Sequence, residues 1–399
     1  MKIGYITASF PYGLAEAFLL AEIRELKSLG HEIVILPRSV AGEIIHTTDG
    51  WIREITLGGP VFSLEILRSA CMALITSPRR SLTSLFLIAS RGGLQTIAKN
   101  ILVYPKGLWL GRMVKKHRID HLHAHWASTT STMAMIASIV SGVPWSFTAH
   151  RGDIAGNNLF ELKLQRAVFA RFISKSGMKM ADTYCSSGLQ GKERLIHMGV
   201  RLPDSNPRDG IESNVVLCPA TLKPVKGHKI LLQALALLRE RGTELSLEVL
   251  GDGPLHEELE ELANRLNVQQ SVAFVRMMPQ EALLRRYSDS PPAVVVLPSL
   301  DLGSNIHEGI PVSLMEAMGA GVPVISTDTG GIPELLDGGA GIIVPQADPV
   351  ALANAIERVL HDSSLRSTLS RRGRERVAEE FNVVKTAEQL SRCILLEQN

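Results

Sequence analysis

Leu297-Pro298-Ser299 and, after a short loop, His307-Glu308-Gly309-Ile310-Pro311-Val312-Ser313-Leu314-Met315-Glu316-Ala317-Met318-Gly319-Ala320-Gly321-Val322-Pro323-Val324-Ile325 decide how this chain folds. The apolar run 293–297 ends in a Pro-Ser turn, a helical pattern follows Pro311, and a second β-branched run begins at Pro323. Strand, loop, helix, strand is the βαβ unit of a parallel sheet. Working outward, the same alternation recurs, with strands expected at 215–219, 245–250, 272–275, 293–297, 323–326 and 341–344. These runs are nearly continuously apolar, as strands covered by helices on both faces must be.

The first 200 residues repeat the scheme less cleanly. Strands are expected at 2–7, 32–36, 121–125, 145–149 and 182–185, with a helix over 16–29. Between the two halves, 200–210 mixes Pro, Asp, Asn and Gly in a way that supports neither period, so it reads as a linker. The expected architecture is α/β: two doubly wound, Rossmann-like domains over 1–205 and 206–380. Residues 381–399 form a helix expected to pack back on the first domain. Ligands of open α/β sheets bind beyond the carboxyl ends of the strands, so two facing sheets imply an interdomain cleft.

At 399 residues the chain is long enough for two cores, and 45% apolar with 21% charged residues excludes disorder and small disulfide scaffolds. The four cysteines, 71, 185, 218 and 393, show no metal-ligand or CxxC spacing, so reduced, buried thiols are expected. The opening residues read as a strand rather than a leader, and no apolar run approaches the roughly 18 to 20 residues needed to cross a bilayer. A cytoplasmic location is therefore expected.

The net charge of +2 hides an asymmetry. Residues 66–118 hold ten Lys or Arg and no Asp or Glu, interleaved with Phe86, Trp109, Leu110 and other apolar side chains. Such a mixture suits helices lying on an anionic membrane face. A solvated helical face over ordinary core, and a polyanion patch without lipid, are the alternatives. No nucleic-acid motif accompanies the charge, so nucleic acid is not an expected partner.

The chemistry is concentrated around 308–316. The backbone N–H groups of Gly309, Ile310, Pro311's neighbour Val312 and the following turn sit at a helix start, where they suit phosphate oxygens. Glu316 suits a pair of sugar hydroxyls and Glu308 a second polyol, so the two carboxylates fit a sugar nucleotide. Lys226, in the loop after the first strand of the second domain, suits a diphosphate as a point charge. No D-x-D occurs, so no metal-bridged diphosphate is expected; Lys226 and the helix start take that role. In the first domain His150 ends the strand 145–149. His123 and His125 alternate on one strand face, which suits a metal pair or cleft lining and packing; without a nearby carboxylate or Cys the second is the reading taken. Gly13 and Glu16 lie in the turn from first strand to first helix, where Glu16 either orients an acceptor or supports the turn.

Glu308 to Glu316 resembles the E-x7-E signature of retaining glycosyltransferases of family 4, which have the GT-B fold. Lys226-Gly227-His228, Gly251-Asp252-Gly253-Pro254-Leu255 and Gly330-Gly331-Ile332-Pro333-Glu334 are similar to the same family, and the Phe10-Pro11 and Glu16-Ala17-Phe18 pattern resembles transferases of exopolysaccharide assembly, colanic acid type included. The resemblance implies that Glu308 contacts the donor sugar, Glu316 the ribose and Lys226 the diphosphate. It also implies that His150 of Thr148-Ala149-His150 acts near the donor sugar. One departure stands out: the family's usual Arg five positions before the Lys is Thr221 here, with Lys223 the nearest substitute.

The resemblance further implies a metal-independent, retaining transfer from a UDP- or GDP-sugar, with no cofactor, to a glycan acceptor carried on a polyprenyl diphosphate. A cytoplasmic enzyme peripheral on the inner face of an anionic membrane follows. A soluble acceptor, or a non-catalytic scaffold that keeps the fold, is the alternative.

Overall fold

The computed structural model describes residues 1–13, 16–44, 50–203, 213–303 and 306–396. The chain divides into two compact units, Met1–Gly199 with Val383–Asn399, and Val200–Asn382.

The first unit is a six-stranded sheet of β1 (Lys2–Thr7), β2 (Glu32–Pro37), β3 (His121–His125), β4 (Trp145–Ala149), β5 (Ala170–Phe172) and β6 (Glu193–Leu195). The strands run in the order β2-β1-β3-β4-β5-β6, all pairs parallel. The second unit is built from β7 (Val215–Pro219), β8 (Ser246–Leu250), β9 (Val272–Val275), β10 (Val294–Leu297), β11 (Val324–Thr327) and β12 (Ile342–Val344). Its order is β12-β11-β10-β7-β8-β9, again all parallel. In both sheets the strand order reverses beside the first strand of the unit, which is where such sheets open a crevice at their carboxyl edge.

Two expectations for the first unit need correction. Residues 182–185 are not a strand: Ser174 caps the helix Lys175–Asp182 by accepting the Gly177 N–H at 3.0 Å, and Tyr184 and Cys185 continue into a turn. The strands of this region are β5 and β6, three residues each and, in β6, mostly charged, so neither carries a readable period. Second, Trp109 and Leu110 are core residues, 3% and 0% exposed. They lie in the half of the helix Leu94–His117 that packs on the helix Thr129–Ser141.

Within the expected linker, Val200 donates its N–H to Phe381 O at 2.8 Å and so belongs to the second unit, while residues 204–210 lie outside the described ones. The helix Val383–Leu396 belongs to the first unit: it packs on the helix Leu19–Ser28, and Ser391 Oγ lies 2.7 Å from His31 Nε2. No disulfide joins the four cysteines; Cys185 and Cys218 are buried as expected, but Cys71 is exposed and Cys393 half-buried.

Candidate active site

In the second unit a cavity of about 410 Å³ opens at the carboxyl edge of the sheet. Its walls are Pro219 at the end of β7, Ala220 and Thr221 after it, Lys226, Leu250, Met277 and Met278 beyond β9, Leu283, Glu308, and Ile310 to Ser313. Close backbone approaches build it. Gly227, at φ +69°, has no room for a Cβ, which would sit 1.8 Å from Pro298 O, so the loop after β7 lies directly on the loop after β10. Gly330, at φ +61°, is as tight: a Cβ there would be 1.9 Å from Glu308 O. Gly331 N–H donates to Gly309 O at 3.1 Å and completes the seat of the Glu308 loop.

These contacts bring Lys226 Nζ to 2.7 Å from Glu308 Oε1, both side chains largely but not wholly covered. The helix Val312–Gly319 starts at the same cavity with Pro311 as its N-cap. Its first N–H groups have no partner within the helix, as at every helix start. Glu316, one turn in, is 6% exposed and accepts from Gln280 Nε2. Burial pushes its carboxyl up to about 7, with the Gln280 hydrogen bond pulling the other way. Thr221 lines the cavity at the position of the expected Arg, whereas Lys223 is exposed and not among the lining residues. Sequence reasoning did not find Gln280, Met277 or Met278; the amide reaches Glu316 from the separate helix Gln280–Asp289, and no local pattern announces that.

In the first unit, β3 and β4 place His125 and His150 at their ends, with Nε2 atoms 2.7 Å apart. The Trp126 ring lies over His150 at 4.2 Å between centroids. Trp126 has φ +81°, a left-handed backbone that costs roughly 1–2 kcal/mol for a residue with a Cβ. Glu16 holds it there: its carboxylate accepts the indole N–H and also the N–H groups of Ala8, at 3.1 Å, and Phe10, at 2.7 Å. Of the two roles open to Glu16, these contacts supply turn support. Gly13, at φ +75°, donates to Glu43 O at 3.1 Å. Asp153 Oδ1 accepts the His150 N–H at 2.7 Å and its other oxygen the Ala127 N–H. His123 is occupied by Ser146 Oγ and Thr148 Oγ1, each at 2.8 Å, in keeping with packing. Among the described residues no group of three or more His, Cys, Asp or Glu is placed to hold a metal.

A second cavity in this unit, about 600 Å³, was not anticipated. Arg38 and Lys99 are its cations, Pro60, Val61, Leu102 and Val103 its apolar wall, and among the described residues no acid lines it. Lys106 braces it from behind, donating from Nζ to Arg38 O and Gly59 O, each at 2.8 Å. Burial, with Arg38 beside it, lowers this ammonium to about 8. Lys106 therefore belongs to the interior, not to the charged face that the sequence suggested.

Comparison with known proteins agrees with this layout. Residues 15–204 match the Glycosyl transferase 4-like domain and residues 206–376 match Glycosyl transferases group 1. A putative colanic acid biosynthesis glycosyltransferase of Escherichia coli, WcaL, is 25% identical over 96% of this chain and 96% of its own length. Its namesake in Salmonella typhimurium is 35% identical over 41% of this chain, a stretch covering 40% of that relative. Among solved structures, HepE of Anabaena in complex with UDP superposes with a TM-score of 0.71 at 17% identity, over 98% of this chain and 99% of that one. The fold is GT-B, two parallel-sheet α/β units, and with both halves matched in sequence the chain belongs to the glycosyltransferases of group 1 with a 4-like N-terminal domain.

Proposed function

We propose that this glycosyltransferase moves a hexose-type sugar, with retention and without a metal, from a UDP- or GDP-sugar to a lipid-linked glycan intermediate of polysaccharide assembly. The observation that carries the reading is the meeting of Lys226, Glu308 and the start of the helix Val312–Gly319 in one cavity. Lys226 and the helix N–H groups suit the donor diphosphate. Glu308 faces the sugar, Glu316 suits the ribose hydroxyls, and Met277, Met278 and Leu283 offer apolar surface to a base. His150 is the residue of the first unit assigned to the donor sugar. With Lys226 stabilising the charge that develops on the leaving diphosphate, the departing phosphate oxygen takes the proton of the attacking hydroxyl on the same face. HepE, solved with UDP-glucose, and WcaL, named for colanic acid, support the donor and pathway class.

The cavity between Arg38 and Lys99, cationic at one side and apolar at the other, suits a diphosphate with an isoprenoid tail. Leu64, Leu67 and Leu74 on the helix Leu64–Thr76, and Leu82 and Phe86 on the helix Pro78–Ala89, repeat at helical spacing and are all exposed. Arg68, Arg79 and Arg91 are exposed beside them, which favours an anionic bilayer as the surface they meet. No helix of the described residues is long and apolar enough to cross a membrane.

The test is a screen of UDP- and GDP-sugars against an isoprenyl-diphosphate-linked glycan, with the anomer of the product read by NMR. Transfer with retention supports the reading and an inverted linkage overturns it. Nucleotide binding without transfer to any acceptor assigns the chain to the scaffold alternative that Thr221 raises.

A further inference from the structure

A chain of buried polar side chains runs through the first unit and ends on His150. Arg171 of β5 pairs with Glu22 at 2.5 Å, the two side chains 0% and 2% exposed. The other N–H groups of that guanidinium donate to Ile196 O at 2.9 Å and His197 O at 2.6 Å, which fixes its plane. The second carboxylate oxygen of Glu22 accepts the Tyr5 hydroxyl. Tyr5 Oη lies 3.4 Å from His125 Nδ1, and His125 Nε2 lies 2.7 Å from His150 Nε2.

The proton positions follow from the end of the chain. An ion-paired carboxylate only accepts, so the Tyr5 O–H points at Glu22 and its lone pair faces His125. Burial and the neighbouring Glu22 hold the Tyr5 hydroxyl well above its ordinary range, so it keeps that proton. His125 then carries its hydrogen on Nδ1 and leaves Nε2 bare. Two facing nitrogens at 2.7 Å need one hydrogen between them, and it belongs to His150 Nε2. Burial keeps both rings neutral, His150 down to about 3 and His125 well below the usual imidazole range. The remaining nitrogen of His150, Nδ1, is then the acceptor.

We infer that His125, anchored through Tyr5 to the Glu22–Arg171 pair, is a positioning residue that fixes the tautomer and the ring orientation of His150. It gives His150 an Nε2–H directed inward and an Nδ1 that can accept but not donate. His150 on this account acts by where it is held and does not shuttle protons. The bond partner of a site histidine sets which nitrogen is protonated; for metal-ligating histidines loss of such partners costs about 10- to 100-fold in affinity or activity, and an effect of that order is expected here. The inference rests on the reading of His150 as the donor-sugar residue of the first unit.

Histidine-selective 15N labelling with long-range 1H–15N correlation spectra reads the tautomer in the full chain. Wild type is expected to show His150 as the Nε2–H form alone, His125→Ala a mixture, and His125→Asn a partial return. In kinetics His125→Ala should lose about 10- to 100-fold in kcat with the donor KM within about twofold. A pure Nε2–H tautomer in His125→Ala overturns the inference, as does an unchanged kcat there while His150→Ala loses turnover. Tyr5→Phe removes one oxygen and guards against misfolding of the alanine variant: it too should mix the tautomers, and an unshifted spectrum there removes the anchor. If the tautomer responds as expected but His150→Ala keeps wild-type turnover, the assignment of His150 to the donor sugar fails and the positioning stands.

Discussion

Lys226 Nζ and Glu308 Oε1 lie 2.7 Å apart on the wall of the second unit's cavity, each paired with the group that a nucleotide sugar would take from it. A diphosphate at Lys226 and a sugar hydroxyl at Glu308 must part this contact, so the two residues are coupled in binding. Lys226→Ala is expected to weaken UDP binding by about 10- to 150-fold, the worth of a charge-assisted hydrogen bond. Glu308→Ala should lower kcat more than donor affinity. The double variant should fall short of the sum of the singles, because each single leaves the other member unpaired. Calorimetry with UDP and steady-state kinetics check this; two variants with wild-type constants would move the site elsewhere.

On the proposed ribose contact, Glu316 makes donor binding depend on pH. Its carboxyl is raised to about 7 against 4.5 in the unfolded chain, chiefly by burial. The folded state thus binds the extra proton between these values, and the stability this gives is complete below pH 4.5 and lost as pH rises toward 7. Ribose hydroxyls, however, are accepted by the ionised form. UDP affinity is therefore expected to rise with pH up to about 7, by at most about tenfold per unit, and to level off above it. Glu316→Gln should flatten the profile. A wild-type profile with no slope between pH 5 and 7 would mean that the bound nucleotide does not engage this carboxylate.

Two glycines with similar backbone angles should respond differently to one methyl group. Gly13 and Gly330 have φ of +75° and +61°, but a Cβ at Gly13 meets nothing within 4 Å among the described residues while one at Gly330 meets Glu308 O at 1.9 Å. Gly13→Ala should cost about 1 kcal/mol, the left-handed strain alone. Gly330→Ala must also displace the loop that carries Glu308, so it should unfold at markedly lower denaturant and lose UDP binding. Equal midpoints for the two variants would contradict the packing described for the Glu308 loop.

Much of this was legible in the sequence because βα alternation and glycine-marked turns are local signals. β1, β3, β4, β7 and β9 have the bounds expected from the sequence. What escaped has identifiable causes. β5 and β6 are too short for a period, and Lys106, Trp109 and Leu110 read as surface because they sit within a basic run, although one face of its helix is core. His125 and His150 are separated by a strand and a helix in the chain, so the contact between them exists only once β3 and β4 pair. Gln280 at Glu316 and Glu16 at Trp126 are likewise products of tertiary placement.

The charge asymmetry leads to a prediction about which side chains meet lipid. Apart from Arg80, which donates to Val140 O, and Lys99 at the cavity, the exposed cations of 66–118 fall in two places. Lys115, Lys116 and Arg118 close the carboxyl end of the helix Leu94–His117, where they complement its dipole. Arg68, Arg79 and Arg91 accompany the exposed apolar positions of the two helices before it; Phe86 alone is 70% exposed and Leu82 59%. Attraction to an anionic leaflet is worth about 1 kcal/mol per basic residue close to the surface, but only the second group also offers side chains for shallow insertion. Leu82→Ser with Phe86→Ser should therefore weaken binding to phosphatidylserine-containing vesicles at all salt concentrations, since burial of apolar area is not screened. Arg79→Ser with Arg91→Ser should weaken it mainly at low salt, where the Debye length is long. Serine at Lys115, Lys116 and Arg118 should have the smallest effect of the three sets. Vesicle sedimentation from low to high salt separates these outcomes, and a wild-type protein that stays in the supernatant with anionic vesicles at low salt would exclude membrane contact by either group.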